Sequence, residues 1–455
     1  MDFSKIEKIH PVLILVVGTL VIYTYFFLLI DGSYSPYYGD EYFYFKNAES
    51  FAKSLSLKAP FTYSGFGSRL WGVDAHGPAY PIIYGGVSLV IGWSNLNIVL
   101  INAGVLLISL AVLNLRKKAT WNEKLLQTLV VLGSPFAFFY STTFLPELIH
   151  VAGAVFLFLA TNQYIRRPDK KSFAILILLI LGLGLIRSTW FFAFIGLPLL
   201  IEKSGSGWKW LFIPLGLCLP FLMQFYLHEQ VPNTFSELGM LIESGNFGDA
   251  WNSIFFNSKR NVYFAIHFTE GKFYTLQKIW IGLSLLSSLY FLRKSRVLLF
   301  GSFILSVILI FNIVLYKNYD WSELRMYTPM AIFLNLSLIS TNRKLAYGLV
   351  GLNFISFLLV IPLQQKLIQL RMNPSVKVIP VETILELEEL SAPVIMLDSV
   401  LLQTYSLSHL PIVSNKGERI EYILPYYAIE TKPYNYFLGT KNGQIKVSNA
   451  KILTQ

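Results

Sequence analysis

The chain has 455 residues, of which 54% are hydrophobic and only 14% charged. That balance lies outside the range of water-soluble domains, and runs of about 15 to 20 apolar residues recur along the chain, so it reads as an integral membrane protein. The net charge of +11 would suit nucleic acid, but the basic residues form short clusters between apolar runs, a topological pattern that excludes that partner. The single cysteine, Cys218, leaves no intrachain disulfide to form.

Lys5 and Lys8 precede an apolar segment at residues 12–30 that is too long for a signal-peptide core and has no small-residue cleavage site. It reads as an uncleaved first span with a cytoplasmic amino terminus. Basic clusters at Arg116-Lys117-Lys118, Arg166-Arg167, Lys203 with Lys209, Arg293-Lys294 and Arg343-Lys344 then fall in every second loop. Spans are predicted near residues 11–30, 96–115, 125–141, 146–165, 172–187, 189–202, 209–227, 274–292, 296–316, 325–341 and 345–362, about eleven in all. An odd number puts the tail outside. Residues 80–93 are apolar but too short to cross, and read as an interfacial or re-entrant helix. The extracytoplasmic loops are then residues 31–95, 228–273 and 317–324, the second carrying an aromatic and basic piece at residues 251–260 suited to the headgroup layer. The expected fold is thus an α-helical polytopic membrane protein over residues 1–362. A small extracytoplasmic α/β domain follows over residues 363–455, with a helix near 382–390, a strand at 394–397 and a hairpin around Asn442-Gly443.

The chemistry-bearing residues collect on the outer side. Gly39-Asp40-Glu41 sets two carboxylates beside the exit of the first span, a costly placement unless it is used. An inverting sugar transfer needs one such carboxylate as base; the alternative is that Asp40 caps the following helix. Asp74 and His76 close the same loop in Asp74-Ala75-His76-Gly77-Pro78-Ala79-Tyr80-Pro81, and Glu147 opens the fourth predicted span. Arg187 and Arg325 stand at the outer ends of two further spans, where a guanidinium either forks onto a phosphate or snorkels to phospholipid headgroups. Glu147 and His150 form a single E-x-x-H, and a dinuclear metal bundle needs two with further glutamates. Asp40, Glu41, Asp74 and His76 are a conceivable divalent-cation set, but their spacing is not diagnostic. There is no GxxxxGK loop, so a cytoplasmic nucleotide donor is not expected.

Gly39-Asp40-Glu41 followed by an aromatic helix, with His76-Gly77-Pro78-Ala79-Tyr80-Pro81 leading into an apolar segment, resembles the GT-C glycosyltransferases. Within them the pattern is most similar to the protein O-mannosyltransferase and lipid A aminoarabinose transferase group. There an Asp-Glu pair in the first outer loop supplies the catalytic acid residue and a His-Pro-Pro-Leu-like element follows; here the second element reads His-Gly-Pro-Ala. The resemblance covers residues 12–200 best and implies a sugar transferase using a polyprenyl-phosphate donor, without an obligatory metal or other cofactor. It places Asp40 and Glu41 at the catalytic position and Arg325, less closely Arg187, at the donor phosphate. Glu147 falls at the family's third polar element. His76 and Asp74 are read with it as secondary polar contacts. Partners are the lipid-linked donor, an extracytoplasmic acceptor and the bilayer of the inner membrane. The competing class is a transporter or flippase of lipid-linked saccharides, which would place its charges nearer mid-membrane.

Overall fold

The computed structural model describes residues 11–36, 39–62, 77–116, 119–201, 207–223, 234–268, 271–316, 323–373, 376–425, 434–441 and 443–450. These are mostly helical, because a chain in hydrocarbon must satisfy its own backbone groups and a helix does so within one segment. α1 (Pro11–Leu28) is followed by the polar helix α2 (Asp40–Ser54) and by a π-helical turn, Pro81–Gly85, leading into α3 (Gly86–Ile91). Then come α4 (Asn97–Asn114), α5 (Trp121–Leu132), α6 (Pro135–Tyr140), α7 (Glu147–Arg166), α8 (Lys170–Gly184), α9 (Ala193–Gly196) and α10 (Phe212–Leu222). α11 (Thr234–Glu243) and α12 (Phe247–Ile266) precede α13 (Lys272–Tyr290), α14 (Arg296–Leu315), α15 (Leu324–Thr341) and the long α16 (Arg343–Met372).

Among the described residues, α1, α4, α7, α14 and α16 are long and apolar enough to cross a membrane. Several other predicted spans are built differently. Residues 125–141 divide into α5 and α6 because Gly133-Ser134-Pro135 stops one helix and starts the next, the Ser134 hydroxyl accepting from Ala137 N. The predicted span from residue 189 forms short 3₁₀ and α turns over residues 188–199, interrupted at Gly196 and Pro198. α13 and α15 are of spanning length but carry Gln277 and Lys278, and Arg325 and Asn335, which lower their apolarity. α16 runs straight through residue 362, where the sequence places the end of the membrane part, to Met372.

Boundaries on the opposite face are set by side-chain caps: Thr120 and Glu123 form a reciprocal capping box on α5, and Asp169, Ser295 and Asn342 cap α8, α14 and α16. α7 and α15 lie at the centre. In α7 72% of the most apolar window is buried, against 28% in α1, so α7 sees protein where α1 sees its surroundings. It packs on α4, α8 and α15, and α15 packs also on α13, α14 and α16. Polar pairs join the inner helices, Asn335 donating to Ser284 at 2.7 Å and Gln277 to Asn353 at 3.2 Å.

Beyond α16 lie α17 (Val381–Glu388) and α18 (Ser399–Thr404) with the strands β2 (Lys377–Val378), β3 (Val394–Leu397), β4 (Tyr405–Ser406), β5 (Glu421–Ile423), β6 (Tyr436–Lys441) and β7 (Gln444–Asn449). β6 and β7 form the expected antiparallel hairpin, with Gly443 in the left-handed region at φ 76°. The five-stranded sheet has the order β1-β5-β3-β6-β7, and its outer strand β1 (Phe61–Thr62) comes from the first loop. Phe61 pairs with Tyr422 and Thr62 with Ile423. α2 joins two cores: Tyr44, Phe45 and Ala48 belong to the helical one, Tyr42 to that of the sheet.

Candidate functional site

α2 begins at Asp40, and its N-cap is Gly39, whose φ of 122° is one that L side chains rarely adopt. No side chain caps the helix, so the capping role open to Asp40 in the sequence is not taken up. Consecutive helical residues point about 100° apart, and the two carboxylates therefore face different partners. Glu41 turns inward, where Arg371 near the end of α16 grips it with two hydrogen bonds, Nε to Oε2 at 3.0 Å and Nη2 to Oε1 at 2.6 Å. Both side chains are buried. Asp40 turns outward, its side chain 53% exposed, with Oδ2 3.4 Å from Nη2 of Arg325.

Arg325 stands in the first turn of α15, and Glu147 opens α7, so the packing of these two central helices brings cation and carboxylate to one end of the bundle. Arg325 Nε lies 3.8 Å from Glu147 Oε1, and the same oxygen accepts from Arg187 Nη2 at 2.5 Å. A ladder of alternating charge results: Arg187, Glu147, Arg325, Asp40. Arg187 and Glu147 are buried, Arg325 is partly buried and Asp40 is open. A small cavity beside it is lined by Phe136, Tyr140, Glu147, Val151, Arg325, Thr328 and Pro329. Arg325 Nε is buried and makes no hydrogen bond among the described residues, which leaves a directed donor at the cavity wall. Pro329, four residues on, has no N–H for the Arg325 carbonyl and loosens the helix there.

Asp74 and His76 lie outside the described residues. The remainder of their motif docks on the end of α8: Gly77 N donates to Ile186 O at 3.1 Å and Ala79 N to Leu185 O at 3.2 Å. A Cβ at Gly77 would stand 2.0 Å from the Leu185 carbonyl oxygen, so only glycine allows this approach, directly before Arg187. Tyr80 donates to Phe144 O at 2.7 Å, tying the motif to the segment that leads into Glu147. His150, one turn into α7, accepts from Trp190 Nε1 on its Nδ1 at 3.0 Å, a packing contact away from Asp40. Among the described residues no group of three His, Cys, Asp or Glu side chains gathers as a metal site would require.

Three contributors carry no motif in the sequence. Arg371 sits in an amphipathic helix end, and nothing in its neighbours points to Glu41 more than 300 residues earlier. Tyr140 is one aromatic among many. Lys46 is buried on α2, donating to Glu49 at 2.8 Å and to Leu410 O beyond the sheet's first helices at 2.7 Å, while Tyr42 donates to Leu407 O at 2.9 Å. Burial pushes the Lys46 ammonium down from its ordinary range, and Glu49 opposes the shift. The signal was present as helical spacing between Lys46 and Glu49, which reads equally well as a surface pair.

No protein-family model and no curated protein sequence matches the chain. Among solved structures it is similar to the crystal structure of ArnT from Cupriavidus metallidurans in the apo state, at 12% identity and a TM-score of 0.47, over 88% of this chain and 83% of that one. At that level the likeness carries no argument about the site, whose description rests on the contacts above.

Proposed function

We propose that the protein is a membrane glycosyltransferase that moves a sugar from a polyprenyl-phosphate carrier to an acceptor on the extracytoplasmic side, with inversion. The observation that carries this reading is the meeting of Asp40, exposed and uncommitted to a cap, with Arg325, a cation holding an unspent donor at a cavity wall. The sequence resemblance to GT-C transferases supports the same residues. An exposed pair at 3.4 Å contributes only about 0 to 1 kcal/mol. A charge-assisted fork from arginine to phosphate is worth about 1.5 to 3 kcal/mol, so the donor phosphate replaces Asp40 on Arg325. Displacement frees the carboxylate at the moment the donor is seated.

The acceptor oxygen then attacks the anomeric carbon from the face opposite the phosphate. The new carbon–oxygen bond forms as the anomeric bond to phosphate breaks, the acceptor proton passes to Asp40, and the polyprenyl phosphate leaves on Arg325. Glu147 fixes the orientation of Arg325. Arg187, spent on Glu147, acts through that carboxylate, and Glu41, spent on Arg371, holds α2 in place. Asp74 and His76 are proposed as further polar contacts of the same loop. No cofactor is required by this chemistry, since a monophosphate leaving group is held by arginine.

The test is transfer by the purified protein in nanodiscs, offered polyprenyl-phosphate sugars and acceptors from an envelope extract, with products identified by mass. Glycosylated product that depends on Asp40 supports the reading. No product across a broad donor panel, together with movement of donor across sealed vesicles, would favour a transporter instead.

A further inference from the structure

α12 is amphipathic in the reverse of the usual sense. Asn257 and Asn261 on one edge are buried, and Asn261 Nδ2 donates to the carbonyls of Asn312, Ile313 and Tyr316 at 3.2, 3.0 and 2.7 Å. These are the last residues of α14 and the one after it, so the helix is fastened across the end of a spanning segment. Its apolar side is left uncovered: Phe247, Trp251 and Phe255, at i, i+4 and i+8, are 66%, 68% and 64% exposed, and Val262 and Ile266 continue that face. At 100° per residue Asn252 and Lys259 fall within this exposed arc, between Ile266 and the likewise bare Tyr263 and Phe256, 58% and 66% exposed, and Asp249 and Arg260 border it. α14 itself presents Phe303 and Ile310 to its surroundings. A bare aromatic face joined to the end of an apolar span, with Asp249 and Arg260 along its border, has the composition of an interfacial helix.

The same helix borders the ladder. Arg260 Nη2 donates to Tyr316 O at 3.2 Å, and Tyr316 hydrogen-bonds Glu323 and lies within the fields of Arg325 and Asp40. We propose that α12 lies in the plane of the membrane surface with its Phe247, Trp251 and Phe255 stripe in lipid, as a sill over which a lipid-borne substrate reaches Arg325. The second part rests on the proposed function; the position of the helix does not.

The position is tested in full-length protein reconstituted in liposomes, with Cys218→Ser as background and single cysteines at 247, 251, 255 and 249 carrying a nitroxide. Labels at 247, 251 and 255 should collide more with oxygen than with a water-soluble nickel chelate, and that at 249 the reverse. Chelate-accessible stripe labels would overturn the proposal, as would stripe labels shielded from both reagents, which would mean a protein cover such as a second copy. Passage of substrate is tested with Trp251→Ser combined with Phe255→Ser. KM should rise several-fold for a long-chain polyprenyl-phosphate donor, with kcat, and KM for a short water-soluble donor, unchanged. Equal change with both donors would overturn the sill. Absence of turnover by the unsubstituted protein with either donor would remove the proposed function and the substrate route with it, while the collision pattern would still decide where the helix lies.

Discussion

Asp40 and Glu41 show how much a sequence says about adjacent carboxylates. That two acids stand beside a membrane exit was legible; which of them is open was not, because it depends on a guanidinium in α16 and on where α2 starts. The open one should be the base. Asp40→Asn keeps size and loses the proton acceptor, so transfer should fall by at least ~100-fold with donor binding retained, read as kcat and donor affinity in purified protein. Near-normal turnover would refute the assignment. Arg325→Ala should weaken donor binding by about 10-fold or more, corresponding to one charge-assisted contact, and Arg325→Lys should recover part of it because an ammonium lacks the fork. Glu147→Gln leaves Arg187 buried without its counter-charge and should cost about 3 to 5 kcal/mol, seen as a lower melting temperature. Adding Arg187→Met should return most of that loss, whereas a purely catalytic Glu147 would give no such recovery.

At the scale of elements, α2 is held at its start by Arg371, along its length by Lys46 and Tyr42, and beyond its end by β1. The helix itself was legible from its aromatic and acidic run, but the clamp was not, since every partner comes from the far end of the chain and carbonyls leave no mark in a sequence. His409 lies between the two carbonyls that receive Tyr42 and Lys46. Burial, then the charge of Lys46, holds its imidazole below the ordinary value of 6.5. A histidine with a lowered pKa in the folded state favours folding above its unfolded value and loses that contribution as pH falls below it. Thermal stability should therefore decline between pH 7.5 and 5.5 in part through this group, and His409→Asn should flatten the profile over that range. An unchanged slope would remove His409 from the clamp. The motif at residues 76–81 was likewise legible, yet its anchorage was not: Gly77 is needed because the Leu185 carbonyl lies against it.

For the whole molecule, the contact of Glu41 with Arg371 places the exit of α1 and the end of α16 on one side of the membrane, so the crossings between them are even in number. We propose, from the basic clusters, that this side is the exterior. A reporter active only in the cytoplasm should be silent when fused after Gln455. Apolar runs made the class of molecule legible, whereas the broken segments at residues 125–141 and 189–199 differ from simple spans because glycine, serine and proline interrupt them. The pairing of Phe61 and Thr62 with Tyr422 and Ile423 has a consequence in time. About 360 residues must be made after β1 before its partner strand exists, which at about 5 to 20 residues per second is a wait of roughly 20 to 70 s. Throughout that interval β1 has left the ribosome without its partner, so a nascent chain inserts its helices before the end that carries Asp40 and Arg325 is complete. On the proposed function, a chain stopped after residue 420 should reach the membrane at normal abundance and transfer no sugar, so that release of the last stretch of polypeptide would arm it and an incomplete copy would leave the carrier pool untouched.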